Sequence, residues 1–324
     1  MALNSNSELG ALCMAPFPYV GRFAPSPTGL LHMGSMMAAV ASYLDARRHA
    51  GKWLLRIEDV DAGRTQRGAD AEIRRTLSRF GFVWDDEVVV QSERHHRYLA
   101  VLHDLIAAGE VYPCCCTRKQ IVEQARMGVD GLVYPGTCRS GMALKTVGSS
   151  SWRLSVTDEV LEFFDLIQGR VEQNLARDVG DFVLLRADGF WAYQLAVVID
   201  DADFGVTHVV RGADLLDSTP RQIFLQQRVG AKALQYAHIP VVADEFGAKL
   251  SKQTRAPILT YGNEGEQLWQ CLRLLWQQPP VLLRGAPLHE VWSWAFESWD
   301  LSKIPQKRSV SVTIEQKNEY KILL

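Results

Sequence analysis

The feature that most constrains this chain is a strand, a Pro/Gly loop, a long helix and a second strand between Pro18 and about Asp61. Tyr19–Phe23 suits a short buried strand, and Ala24–Gly34 is a loop broken by Pro25, Pro27, Gly29 and Gly34. The helix that follows runs to about His49, with Met36, Val40, Tyr43 and Leu44 on one face and Gly51 as its stop. Trp53–Ile57 reads as the second buried strand. Two such strands joined by a helix lie parallel with a right-handed crossover, which sets the fold class as α/β with an open parallel sheet.

The rest of the chain divides around that unit. Residues 1–16 read as an N-terminal extension without strong periodicity, and residues 17–111 as the first half of the α/β domain, with helices near Asp70–Phe80 and Glu93–Ala108. Residues 112–189 differ in character, with clustered cysteines, several Gly and Pro, and short strand-like runs such as Trp152–Val156 and Phe182–Arg186, so a smaller inserted α+β domain is expected. The α/β pattern resumes over 190–254, with helices at Tyr193–Asp200 and from Thr219 to about Val229, and strands at Thr207–Arg211 and His238–Val242. Residues 255–324 read as a short helical C-terminal segment with a tail, in which Val310, Val312 and Ile314 alternate like an edge strand.

Composition excludes several classes. At 47% hydrophobic and 22% charged residues the chain can bury a core, and no apolar run approaches the length of a membrane helix, about eighteen residues. The first basic residue is Arg22, which leaves a secretory leader unsupported, so the expectation is a cytoplasmic monomer with no membrane partner. The net charge of −2 neither suggests nor excludes nucleic acid, because a local basic face suffices to bind phosphates. Four of the six cysteines, Cys114, Cys115, Cys116 and Cys138, fall within 25 residues, which in a reducing compartment argues for metal or chemistry.

Two motifs carry the chemistry. Arg22-Phe23-Ala24-Pro25-Ser26-Pro27-Thr28-Gly29-Leu30-Leu31-His32-Met33-Gly34-Ser35 stands between strand and helix, where free N–H groups and the helix dipole favour a phosphate. Gly29 and Gly34 permit close approach of a ligand, and His32 can donate to phosphate oxygens. Lys249-Leu250-Ser251-Lys252-Gln253 places two lysines and a hydroxyl in a turn, suited to a triphosphate that gains charge during attack. No Walker-type phosphate loop occurs. Either motif alone could be an ordinary solvated turn.

Together they resemble the class I aminoacyl-tRNA synthetases, with His32–Ser35 and Lys249–Gln253 matching that class's two signatures. Arg56-Ile57-Glu58-Asp59-Val60-Asp61, Tyr193-Gln194-Leu195-Ala196 and Val210-Arg211-Gly212-Ala213-Asp214-Leu215-Leu216 follow in the order of the glutamyl branch, over about residues 17–260. Met33, Leu250 and Gln253 depart from the usual signatures, and none removes a charge. The resemblance implies a Rossmann-type parallel sheet and activation of L-glutamate by ATP, with Mg2+ sharing the phosphates. It implies glutamate binding by Arg22, Phe23, Ala24, Pro25, Ser26, Glu58, Tyr193 and Arg211, and ATP binding by His32, Gly34, Ser35 and Lys252. His32, Lys249 and Lys252 are the implied catalytic groups. The residue types suit glutamate, whose two carboxylates call for guanidinium forks (Arg22, Arg211) and whose ammonium calls for an acid (Glu58).

Cys114-x-Cys116 and Tyr134-x-x-x-Cys138 can hold zinc tetrahedrally, with the fourth ligand from Tyr134 or Cys115; the plain alternative is a buried turn of small apolar residues. The glutamyl-like family that modifies tRNA has Cys-x-Cys, Tyr and Cys in this arrangement, which implies one structural Zn2+ on Cys114, Cys116, Tyr134 and Cys138. Only 72 residues follow Lys252, too few for an anticodon-binding domain. Both features resemble the glutamyl-Q family, which implies transfer of glutamate to the queuosine base in the anticodon loop of tRNA(Asp). The alternatives are a short synthetase that charges the 3′ end of tRNA(Glu), a non-catalytic tRNA-binding paralogue, and activation of another acid.

Overall fold

The computed structural model describes residues 18–129, 131–141, 150–250, 257–314 and 320–323. Strand β1 (Val20–Phe23) pairs in parallel with β2 (Lys52–Ile57), which pairs in parallel with β3 (Val89–Val90). The crossover is α1 (Met33–Arg48). On the other side of β1, the Thr207 amide donates to Val20 O at 2.9 Å, which brings in β11 (His208–Gly212). β11 pairs in parallel with β12 (Gln235–Ile239). The chain therefore leaves β1 in both directions across the sheet, and in such folds ligands bind at the C-terminal ends of the strands beside that point, here β1 and β11.

Helix α1 is buried on more than the single face expected. Met33, Met36, Met37, Ala39, Val40, Ala41, Ser42, Tyr43, Leu44, Asp45 and Ala46 are all inside. One side meets β1, β2 and β11; the other meets α8 (Glu264–Leu274) and α9 (Leu288–Ser298) of the C-terminal segment. Buried Asp45 accepts from Tyr19 Oη at 2.6 Å and from Trp299 Nε1 at 3.2 Å, tying sheet, helix and C-terminal segment together. Ala50 takes the left-handed conformation (φ 49°) that ends the helix turn. Gly51 is needed for space: a Cβ there would stand 2.5 Å from Tyr19 O.

Two further helices pack on the sheet's other half: α6 (Tyr193–Asp203) and α7 (Thr219–Arg228), with α2 (Ala69–Arg79) and α3 (His95–Ala107) nearer the start of the chain. Strands β4 (Val111–Cys114), β7 (Ser151–Leu154) and β10 (Phe182–Leu185) form an antiparallel sheet in the order β10-β7-β4. Leu154, Leu184 and Phe182 share one core with Tyr98, Leu102, Leu195 and Val198 of α3 and α6. Helix α4 (Arg118–Gln124) and the hairpin β5 (Arg126–Gly128) and β6 (Gly131–Val133) follow β4, and the short α5 (Leu175–Asp178) precedes β10. Strands β8 (Val160–Asp165) and β9 (Gly169–Asn174) lie within the 112–189 stretch in sequence, yet β8 adds beside β12 through Tyr236 and Asp165.

The C-terminal segment is helical as far as Lys303 and then ends in β14 (Ser309–Ile314), a strand at the alternating residues, and β15 (Tyr320–Ile322). That strand is not the edge expected: β14 pairs in parallel with β13 (Val241–Ala243) and antiparallel with β15. Val310 and Val312 point inward, which is why the alternation was visible. The strand expected at His238–Val242 is split into β12 and β13 at Pro240, which has no N–H to continue a ladder. Among the described residues no helix is long and apolar enough to cross a membrane.

Gly51→Ala is expected to destabilise the chain by about 1–3 kcal/mol, the usual cost of forcing extra atoms into a packed site. Urea unfolding measures this, and an unchanged midpoint would mean that the Tyr19 contact yields at no cost.

Candidate active site

Arg22 ends β1, Arg56 and Glu58 lie at the end of β2, Arg211 ends β11, and Tyr193 opens α6. Arg22, Arg56, Glu58, Asp201 and Arg211 are all buried. Asp201 of α6 is the hub: Arg56 Nη1 donates to its Oδ1 at 2.6 Å, and Arg22 reaches its two oxygens through Nε and Nη2, each at 3.4 Å. Arg56 Nη2 donates to Glu58 Oε1 at 3.1 Å. Burial opposes the charge on Arg56, but Asp201, Glu58 and Asp200 together hold its guanidinium above its ordinary pKa. Burial pushes Glu58 up from the usual carboxylate range, against the pull of Arg56 and Arg22.

Among the described residues Arg211 has no carboxylate partner. Its Nη2 donates to Gln222 Oε1 at 2.7 Å and Thr219 Oγ1 at 2.8 Å, and its Nη1 lies 3.4 Å from Tyr193 Oη. Gln222 in turn donates to Gln194 Oε1 at 2.9 Å. Burial raises the Tyr193 phenol, which the charges of Arg211, Glu58 and Arg22 all reach, so these four expected residues share one electrostatic site. Arg22, Arg56 and Arg211 stand with Glu58, Asp201 and Asp200, and Asp200, 3.9 Å from Arg56, is also paired with Arg94. Guanidinium groups and a carboxylate gathered in this way suit a ligand with two carboxylates and one ammonium.

The loop from β1 to α1 is pinned to this cluster. Glu58 N donates to Pro25 O at 3.0 Å, and Gln66 N to Pro27 O at 2.9 Å. Gly29 sits at φ 135°, a backbone conformation that a side chain would strain. Phe23 is buried, Ala24 and Pro25 are half-buried, and Ser26 is exposed. His32 is the N-cap of α1: its Nδ1 accepts from Ser35 N at 3.3 Å, and Ser35 Oγ lies 3.4 Å from Nε2. A Cβ on Gly34 would lie 3.1 Å from that ring, so glycine makes room for the cap. Lys249 Nζ pairs with Asp214 Oδ2 at 2.5 Å, linking the second motif to the turn after β11. Ser251, Lys252 and Gln253 lie outside the described residues.

A second cluster lies where β4 and β6 end. The sulfurs of Cys114, Cys116 and Cys138 are all within 4.8 Å of one another, close enough to hold a metal ion. The Tyr134 hydroxyl lies 3.3 Å from Cys114 Sγ and 3.5 Å from Cys116 Sγ, and accepts from the Cys138 amide at 2.9 Å. Cys115 is not in the sulfur group. Although burial acts to raise it, hydrogen bonds from Tyr134, Cys115 and the neighbouring thiols draw Cys138 down to about 7, while burial first of all pushes Cys116 up to about 11. Arg153 stacks over the Tyr134 ring at 3.9 Å.

The comparisons with known proteins agree with this geometry. Residues 19–275 match the family described as tRNA synthetases class I (E and Q), catalytic domain. Over 287 residues the chain is 54% identical to the glutamyl-Q tRNA(Asp) synthetase of Chromobacterium violaceum, covering 89% of this chain and 95% of that protein. It is 53% identical to the protein of the same name from Neisseria meningitidis over 290 residues, 89% of this chain and 98% of the relative. The chain belongs to the glutamyl-Q tRNA(Asp) synthetase family. The fold extends to longer enzymes of the class: the glutamate tRNA ligase of Elizabethkingia meningosepticum superposes with a TM-score of 0.71 at 24% identity, over 90% of this chain and 66% of that one.

Several residues of this family member's site escaped the sequence reading. Arg56 was legible, because residues i and i+2 of a strand share a face, so Arg56 must stand with Glu58. Asp201 carried a weaker signal, an Asp pair on an otherwise apolar helix. Gln222, Thr219 and His238 gave none.

Arg56→Leu is expected to cost about 3–5 kcal/mol, because it leaves Asp201 and Glu58 buried without their shared cation. Chemical denaturation of the variant measures it; a loss below about 1 kcal/mol, the value of an exposed pair, would refute the hub.

Proposed function

We propose that this chain activates L-glutamate with ATP, as its Mg2+ complex, and transfers the glutamyl group to the queuosine base in the anticodon loop of tRNA(Asp). The observation that carries the reading is the group of buried Arg22, Glu58 and Arg211 with half-buried Tyr193 beside Arg211, in a chain 54% identical to a glutamyl-Q tRNA(Asp) synthetase along nearly its whole length. In this reading Arg22 and Arg211 meet the carboxylates, Glu58 meets the ammonium, and Tyr193 donates or accepts beside Arg211. Phe23, Ala24, Pro25 and Ser26 form the wall that the bond from Glu58 N to Pro25 O holds in place. The glutamate α-carboxylate attacks the α-phosphorus of ATP, a new P–O bond forms, and pyrophosphate leaves. Mixed anhydride and pyrophosphate together carry the electrons and charge of the reactants. The protein supplies positioning and charge stabilisation. His32, Gly34 and Ser35 at the start of α1, with Lys249 and Lys252, are the groups for the triphosphate. The adenylate carbonyl is then open to a nucleophilic hydroxyl of the acceptor, and AMP departs.

The second cluster fits a structural Zn2+ on Cys114, Cys116, Tyr134 and Cys138. Soft thiolates gathered from the end of β4 and the turn after β6 suit that ion, and the Tyr134 oxygen is the fourth donor in reach. Bound there, zinc joins the end of β4 to the turn after β6.

Three outcomes follow. Arg211→Gln should raise the KM for glutamate in ATP–pyrophosphate exchange by about 10²-fold with little change for ATP, the loss of a charge-assisted contact. An unchanged KM would remove Arg211 from the site. The KM for glutamate should also rise as pH falls from neutral, since the raised pKa of Glu58 means that it gains a proton earlier than an ordinary carboxylate and then no longer pairs with the ammonium. A flat profile into the acid range would contradict that role. Metal analysis of the purified chain should find about one zinc per molecule, lost in Cys138→Ser together with thermal stability. Zinc retained by that variant would exclude Cys138 as a ligand.

A further inference from the structure

Arg211 is immobilised on one side only. Nε donates to His238 Nε2 at 3.0 Å, and Nη2 gives both protons, to Thr219 and Gln222. Of the five N–H groups of a guanidinium, this leaves the two on Nη1, one of which donates to the Tyr193 hydroxyl at 3.4 Å. For Nε to donate to His238, that imidazole must carry a lone pair on Nε2 and its proton on Nδ1. Asp165 imposes this tautomer. Its Oδ2 lies 2.6 Å from His238 Nδ1, and its Oδ1 accepts from the amides of Gln168 at 2.8 Å, Ile167 at 3.0 Å and His238 at 3.1 Å. Both side chains are wholly buried, Asp165 at the end of β8 and His238 on β12. Burial takes His238 down to about 4 against the opposing pull of Asp165, with the Arg211 guanidinium adding to the fall, so the ring is neutral and can accept.

We propose that Asp165 and His238 form a buried relay that clamps Arg211 by its Nε–H, so that the substrate carboxylate is met through Nη1 together with the Tyr193 hydroxyl. The proposal rests on the reading of Arg211 as a glutamate-binding residue. His238 is a positioning residue: it touches no substrate, and it sets affinity for glutamate by fixing the guanidinium plane. It also explains why the β8–β9 hairpin is built onto the sheet beside β12, since without Asp165 the imidazole could turn its Nε2–H towards Arg211.

The test uses the full chain with His238→Asn and His238→Gln. Gln can set its carbonyl near the place of Nε2 and accept from Arg211, whereas Asn reaches only the Nδ1 side. The KM for glutamate in pyrophosphate exchange should rise about 10- to 100-fold in His238→Asn, the loss of one bond to a charged group, and recover to within a few-fold in His238→Gln. The KM for ATP should stay near wild type in both. Equal losses in the two variants, or a rise shared by ATP, would reduce the relay to a packing element and overturn the proposal. Nitrogen-15 NMR reads the relay without any activity and without mutation. In the wild-type chain His238 should show a protonated Nδ1 and a bare Nε2, and the Arg211 Nε–H should exchange slowly with solvent. An Nε2–H tautomer would overturn the relay. A wild-type chain with that NMR pattern but no glutamate-dependent exchange would instead overturn the glutamate reading and leave the relay standing.

Discussion

The contact on which the site depends is Asp201 between Arg22 and Arg56. It joins the ends of β1 and β2 to α6, and so sets the spacing of three elements with one carboxylate. Taking charges out of water is costly, and these four ions are held because each has a partner: Asp201 with Arg22 and Arg56, and Glu58 with Arg56. The result is a pocket whose charges are in place before any ligand arrives. In such a pocket a ligand group meets oriented donors rather than water that must first reorganise, which is the physical basis of selective carboxylate recognition.

From that constraint the rest of the architecture follows. The parallel strands place side chains at their C-terminal ends, and α6 adds Tyr193 at its first turn and Asp201 at its last. Helix α1 brings its N-terminus and its His32 cap to the loop after β1, and it is held between sheet and C-terminal helices by buried Asp45. The C-terminal segment is thus part of the catalytic body: Trp299 reaches α1, and β14 lies between β13 and β15. The second motif follows β13, so the same small sheet underlies its loop.

Much of this was legible in the sequence, for a physical reason. The β1–α1–β2 unit announces itself because buried parallel strands are continuous apolar runs and the loop between them needs glycine and proline at fixed places. Arg22, Glu58, Tyr193 and Arg211 could be gathered from distant motifs because two guanidinium groups, a carboxylate and a phenol suit a glutamate ligand, and the fold places them near the ends of β1, β2 and β11 and at the start of α6. What stayed hidden depends on pairings that sequence spacing does not encode. Asp165 and His238 are 73 residues apart and meet only because β8 joins β12. The central place of β14 depends on a parallel partner at Val241–Ala243, which no local pattern reports. The depth of α1 was underread since its Ala and Ser residues look neutral on a helical face, although small side chains are what close packing on two sides requires.

The central claim is that glutamate activated in this pocket goes to a modified base and not to a tRNA end. Transfer of labelled glutamate to tRNA from cells that do or do not make queuosine tests it most directly, with the 3′-terminal adenosine removed by nuclease in a parallel sample. The account predicts label only on queuosine-containing tRNA, retained after that removal. Label that appears without queuosine and is lost with the 3′ adenosine would contradict it, and would make the chain a short synthetase of the conventional kind.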